Sequence, residues 1–158
     1  MAFVKGKLPN NSQNGDFTHF AVLTYEDLQT IGNGGQATIG EIPAGGGIDL
    51  MGVYESTAVA GTTTLVIDIG TTGADPDEFI DALDVDAMTA PVYNTGDAFV
   101  QAAGTTTIAG GSLPVGLTAS DTDILLEVTD ANIASATAGE IVVAWRVVDL
   151  ARFANVNG

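Results

Sequence analysis

Hydrophobic and polar residues alternate with a period of two along much of this chain, and the runs are short. In residues 62–69 (TTTLVIDI), Leu65, Ile67 and Ile69 point one way while Thr64, Val66 and Asp68 point the other. Residues 124–129 repeat the pattern with Ile124, Leu126 and Val128 inward. Strict alternation marks a strand with one buried face. Further strands are predicted at 17–24 (FTHFAVLT), 36–42 and 48–55. In the last of these, Ile48, Leu50 and Tyr54 share a face, with Asp49 and Glu55 opposite. A hairpin is predicted from 97–102 and 105–109 around Gly104, a hairpin turn at Ala60-Gly61 and a turn at Ala138-Gly139. The final run, 140–150 (EIVVAWRVVDL), is apolar on both faces and reads as a central strand. Such a run also aggregates when exposed, so part of it is expected to lie in a subunit interface.

Two segments depart from the period of two. Thr24 can cap a short helical turn at 25–30, with Asp27 three residues on. Residues 76–88 (PDEFIDALDVDAM) carry Phe79, Ile80, Leu83 and Ala87 at helical spacing, behind Asp75 as N-cap and Pro76 as first helical residue. They predict a short helix over a sandwich edge. Residues 1–16 carry Gly6, Pro9, Asn10, Asn11, Ser12, Asn14 and Gly15, poor helix and strand formers, and read as an extended N-terminal arm. Residues 17–158 read as a single β-sandwich domain. Seven to nine strands with a turn signal every 8–12 residues give an all-β chain, an antiparallel β-sandwich of jelly-roll type.

Charge changes the picture. The chain has 20 acidic and 4 basic residues, a formal net charge of −16. Phosphate binding needs clustered Lys and Arg, so no nucleic acid partner is expected, and no anionic membrane surface. Lys5 and Lys7, half of the basic residues, both fall in the arm. No apolar stretch follows them, so no signal peptide is expected.

Candidate chemistry is sparse. There is no cysteine, hence no disulfide, thiolate or Cys-ligated metal. The single histidine, His19, alternates with Phe17 and Ala21 and reads as a packed or interface residue. Ser12, Ser56, Ser112, Ser120 and Ser135 sit in turn contexts, and no G-x-S-x-G occurs. Asp75, Asp77, Glu78, Asp81, Asp84 and Asp86 crowd one segment. Asp75, Asp77 and Asp81 are the candidates for calcium, but Phe79 stands where a third oxygen ligand belongs and the central Gly is missing. Neither a cofactor nor catalysis is expected.

Four segments carry a family resemblance. Residues 39–48 (IGEIPAGGGI) are similar to a G-x-[IL]-P-A-G-A-x-[IV] turn, and residues 64–71 (TLVIDIGT) to a Thr-rich hairpin entering L-x-[IV]-G-T. Residues 73–80 (GADPDEFI) resemble G-x-x-D-P-D-x-[FL]-[IV], and residues 136–145 (ATAGEIVVAW) resemble [AT]-x-G-x-[IV]-x-V-x-[VW]. Together they look like head decoration (cement) and related head-surface proteins of tailed phages. The resemblance implies a jelly-roll-like sandwich, often trimeric, made in the host cytoplasm and bound to the outer capsid surface, with the major capsid protein as partner. The cations and apolar side chains of the arm make Phe3, Val4, Lys5, Lys7 and Leu8 the expected capsid or protomer contacts, and the outer face of the last strand makes Val142, Val148 and Leu150 the expected homotrimer interface. The triple glycine at Gly45, Gly46 and Gly47 and the charge depart from the pattern. They leave open a head-fibre base or another virion component, and a carbohydrate- or receptor-binding fibre domain is the alternative.

Overall fold

The computed structural model describes residues 3–8, 17–94, 99–101 and 120–149. Ten strands and one α-helix occur among them: β1 (Val4–Lys7), β2 (His19–Thr24), α1 (Tyr25–Ile31), β3 (Gly35–Ile42), β4 (Gly46–Ala60), β5 (Val66–Gly70), β6 (Ile80–Asp84), β7 (Val92–Asn94), β8 (Phe99–Gln101), β9 (Thr122–Thr129) and β10 (Ala138–Asp149). They form two antiparallel sheets, ordered β1-β2-β10-β4-β7-β8 and β3-β9-β5-β6. The chain crosses between the sheets repeatedly, at β2–β3, β3–β4, β4–β5, β6–β7, β8–β9 and β9–β10. The Ala60-Gly61 turn is one of these crossings, not a hairpin. Inner faces of both sheets meet in one core that includes Leu23, Ile39, Met51, Ile67, Phe79, Leu126, Val143 and Trp145.

The strands follow from the alternation. Leu65, Ile67 and Ile69 are buried, as are Ile124, Leu126 and Val128, and Ile141, Val143 and Trp145. β10 lies between β2 and β4, the central place that its two apolar faces predict. Thr24 caps α1 as read. Its backbone N–H donates to the Asp27 carboxylate at 2.8 Å, and the Asp27 N–H donates back to the Thr24 hydroxyl. The expected hairpin at 97–109 and the C-terminal Leu150 lie outside the described residues, apart from β8.

The structure corrects two further readings. Residues 76–88 are not a helix: Ile80–Asp84 is a strand, with Ile80 and Leu83 buried and a bulge between them. In that bulge Asp81 and Ala82 oppose the single residue Asp68, and Ala82 takes a positive φ of 51°. In β4 the alternation breaks where Arg146 pairs Leu50 and Val147 pairs Ile48, leaving Asp49 as the extra residue. Ile48 therefore faces the core with Met51 and Val53, while Leu50 and Tyr54 face outward. Within residues 1–16, read as an extended arm, Val4–Lys7 is a strand. It adds a sixth strand to the larger sheet, in register from Val4 opposite Val22 to Lys7 opposite His19.

Candidate functional site: an uncharged sheet face and a polar cleft

Pairing across the larger sheet sets two rows on its outer surface. Val4, Val22, Val142 and Tyr54 form one. Gly6, Phe20, Ala144, Gly52 and Tyr93 form the next. Val22, Phe20, Val142, Ala144 and Tyr93 are partly exposed, Tyr54 is 48% exposed and Val4 62%. A groove of about 210 Å³ runs along these rows, bordered by Phe17, Tyr54, Tyr93, Val142 and Ala144. Gly52 permits it: a Cβ there would stand 3.0 Å from Phe17 and 3.1 Å from Tyr93, whose rings stack with centroids 6.3 Å apart.

At one end of these rows the charge is internally compensated; at the other, Glu140 opposite Thr24 accepts the Ser56 hydroxyl. Arg146 Nε lies 2.6 Å from Asp49 Oδ1 and Nη2 lies 2.9 Å from Oδ2. A bidentate guanidinium–carboxylate pair is geometrically demanding, and the bulge at Asp49 supplies the geometry. The structure thus brings Val142 and Val4 onto one surface. Val148 lies beyond the Arg146 bulge and is also partly exposed.

The smaller sheet presents the opposite character. Gln36, Glu127 and Asp68 form a row across β3, β9 and β5, with Asp81 in the bulge beside it. Burial first, and then the charges of Asp81, Glu127 and Asp75, raise the Asp68 carboxyl above the usual carboxylate range, against the pull of the Ala82 N–H. That N–H donates to Asp68 Oδ1 at 2.5 Å and fixes the bulge.

The acidic segment is not gathered around an ion. Among the described residues, no three His, Cys, Asp or Glu side chains are placed to hold a metal. Its carboxylates instead accept backbone N–H groups. Glu78 accepts from Thr71 at 2.7 Å and also takes the Thr72 hydroxyl. Asp86 accepts from Leu65 at 2.8 Å and Asp84 from Ala87 at 3.2 Å. Burial pushes the Glu78 carboxyl up, but the hydrogen bonds from Thr72 and Thr71 outweigh it and hold its pKa below the ordinary value.

A polar cleft of about 460 Å³ opens where β1, β2 and β3 approach the end of β10. It is lined by Lys7, Leu8, Thr18, His19, Glu41, Pro43 and Val147. His19 stacks on Trp145 with centroids 5.9 Å apart and rings 11° from parallel. Burial, and then the charge of Lys7, lower the imidazole pKa below 6.5. Thr18 is the partner that the sequence did not disclose. Its hydroxyl lies 2.8 Å from His19 Nδ1 and accepts the Val147 N–H at 2.9 Å. This hydroxyl is tied into the β10 edge, and the ring beside it is clamped against Trp145, so the pair is built to hold strands together. Trp145, 1% exposed, belongs to the core. Lys5 reaches across to the other sheet, where its ammonium donates to the Thr38 carbonyl at 3.1 Å.

No protein-family model matches the chain, no curated protein matches it, and no solved structure matches it. No helix among the described residues is long and apolar enough to cross a membrane.

Proposed function

We propose that this chain is a structural, non-catalytic protein of a tailed-phage virion that decorates and stabilises the outer capsid surface as a homotrimer, with the major capsid protein as its partner. The supporting observation is the contrast between the two outer faces. In a chain of net charge −16, two adjacent rows of this sheet face carry no charged side chain, between the Arg146–Asp49 pair at one end and Glu140, which accepts the Ser56 hydroxyl, at the other, and apolar surface of that kind marks an interaction site. The residue patterns at 39–48, 64–71, 73–80 and 136–145 supply the virion context. The strand order supports a jelly-roll reading, since the inner strands β2-β10-β4-β7 of the six-stranded sheet and the four-stranded sheet β3-β9-β5-β6 are linked by repeated crossings.

In this reading Val142, Val148 and Leu150 belong to the trimer contact, and Phe3, Val4, Lys5, Lys7 and Leu8 contact the capsid or a neighbouring protomer. Exposed lysine pairs contribute about 0–1 kcal/mol each. Burying Phe3, Val4 and Leu8 contributes about 1.5–3 kcal/mol for each fully buried side chain, so the apolar residues dominate. The carbohydrate-binding alternative draws on Tyr54 and Tyr93 at the groove; Trp145 is not accessible to it.

The test is binding to undecorated heads assembled from major capsid protein, beside light scattering at physiological salt. Wild-type protein is expected to run at a mass near three chains and to saturate the heads. Val142→Glu, which places a carboxylate in the middle of the uncharged row, is expected to leave the circular dichroism unchanged and to reduce the mass to one chain. A folded wild-type chain that stays monomeric at high micromolar concentration and ignores heads refutes the reading.

A further inference from the structure

β1 is attached to the body in an unusual way. All four of its residues are exposed. Its hold is the ladder to β2, the Leu8 N–H on the Thr18 carbonyl at 2.8 Å, the Lys5 ammonium on Thr38, and Phe3 packed at the core margin. Nothing in these contacts requires residues 3–8 to come from the same chain. A strand from a neighbour presents identical N–H and C=O groups to β2. Exchange of an identical element therefore conserves the contacts and costs only association entropy.

Three observations favour a second copy as the donor. Eight residues, 9–16, separate Leu8 from Phe17, whereas two suffice to connect a hairpin. Fully extended, eight residues reach about 26–29 Å, enough to cross a subunit boundary. Lys5 and Lys7 give the strand two of the chain's four cations, in a molecule of net charge −16. A lysine-bearing strand is attracted to an acidic neighbour, and Glu41 borders the cleft beside Lys7. Lastly, Val4 continues the uncharged row Val22–Val142–Tyr54, so the strand and the outer sheet face form one continuous surface.

We propose that β1 is exchanged between copies, with residues 3–8 of one chain pairing with β2 of the next, head to tail around a closed ring. This deepens the reading of those residues as a contact segment. It rests on the self-association in that reading and not on the virion role.

The absence of cysteine makes the test clean. Val4→Cys and Val22→Cys place single thiols at directly opposed positions of the ladder. The two single variants are refolded together, oxidised and run on a non-reducing gel. The expected main product is a disulfide-linked Val4→Cys/Val22→Cys pair, well above a control mixture of Val4→Cys with Thr129→Cys on the other sheet. The double variant in one chain is expected to give covalent multimers. Lys7→Cys with His19→Cys, at the other end of the ladder, repeats the test if a first variant does not fold. Exchange is overturned if the double variant oxidises only to internally linked monomers and the mixture gives no more product than the control. Light scattering then separates the two failures. Persisting oligomers leave the trimer reading intact and exclude exchange alone, whereas monomers exclude both.

Discussion

Gly40 is where a single methyl group should do the most damage. A Cβ there would stand 2.3 Å from Cζ2 of Trp145, 2.8 Å from Cη2 and 3.3 Å from Cε2. The obstructing atoms belong to a rigid indole that is 1% exposed and backed by His19, so it has little room to retreat. Overpacking of this kind costs about 1–3 kcal/mol, and rigidity places Gly40→Ala near about 3 kcal/mol. In a chain of this length each kcal/mol lowers Tm by about 2–4 °C, so a drop of about 6–12 °C is expected. Thermal unfolding is followed by far-UV circular dichroism, because Trp145 is the only tryptophan and its emission is lost in the second background. Trp145→Phe removes the atoms in the way. In that background, Gly40→Ala should cost less than about 1 kcal/mol, a coupling that only direct contact produces. An unchanged Tm for Gly40→Ala, or the same cost in both backgrounds, would refute the argument.

Other outcomes follow from the same geometry. The folded-state pKa of His19 is depressed, so its contribution to stability is complete above the unfolded value of 6.5 and is lost as pH falls through the folded value. Urea midpoints should therefore fall between about pH 7.5 and about pH 5, and by less in His19→Gln. Ala82 holds a positive φ, so Ala82→Gly should raise stability by about 1 kcal/mol, read as a Tm gain of about 2–4 °C. Glu78→Gln should destabilise at neutral pH, because the lowered carboxyl pKa reports stability present above the unfolded value. The difference from wild type should close as pH falls through the folded value, and a pH-independent difference would point to packing instead.

Bulges decide which parts of this fold could be read in advance. Where a strand has none, as at 65–69 and 124–128, alternation identified every buried residue. A bulge inserts one residue and shifts the inward face by one, so buried positions fall three apart. That happens at Ile39 and Ile42, at Ile48 and Met51, and at Ile80 and Leu83. Three is also a helical spacing, which is why 76–88 suggested a helix. The carboxylates of that segment serve loops: Glu78, Asp84 and Asp86 accept backbone N–H groups. β1 was hidden for a different reason. Val-Lys-Gly-Lys has little strand preference, and pairing with β2 creates the strand. The outward, partly exposed position of Val142 and Val148 was legible because their strand is apolar on both faces. The Phe17–Tyr93 stack was not, since it depends on which strand lies beside Gly52.

The loop carboxylates have a consequence for how this molecule responds to brine. In most proteins acidic side chains are neutralised by lysine and arginine, and added electrolyte weakens those attractions along with the repulsions. Here four basic residues face twenty acidic ones, and the carboxylates of Glu78, Asp84 and Asp86 hold their loops through short contacts to N–H dipoles. A Debye length of about 8 Å at physiological ionic strength leaves contacts near 3 Å almost untouched, while it damps the mutual repulsion of distant carboxylates. Electrolyte therefore removes a burden without removing a support. The chain is built to grow firmer with ionic strength, in a medium where an ordinary balanced surface gains nothing.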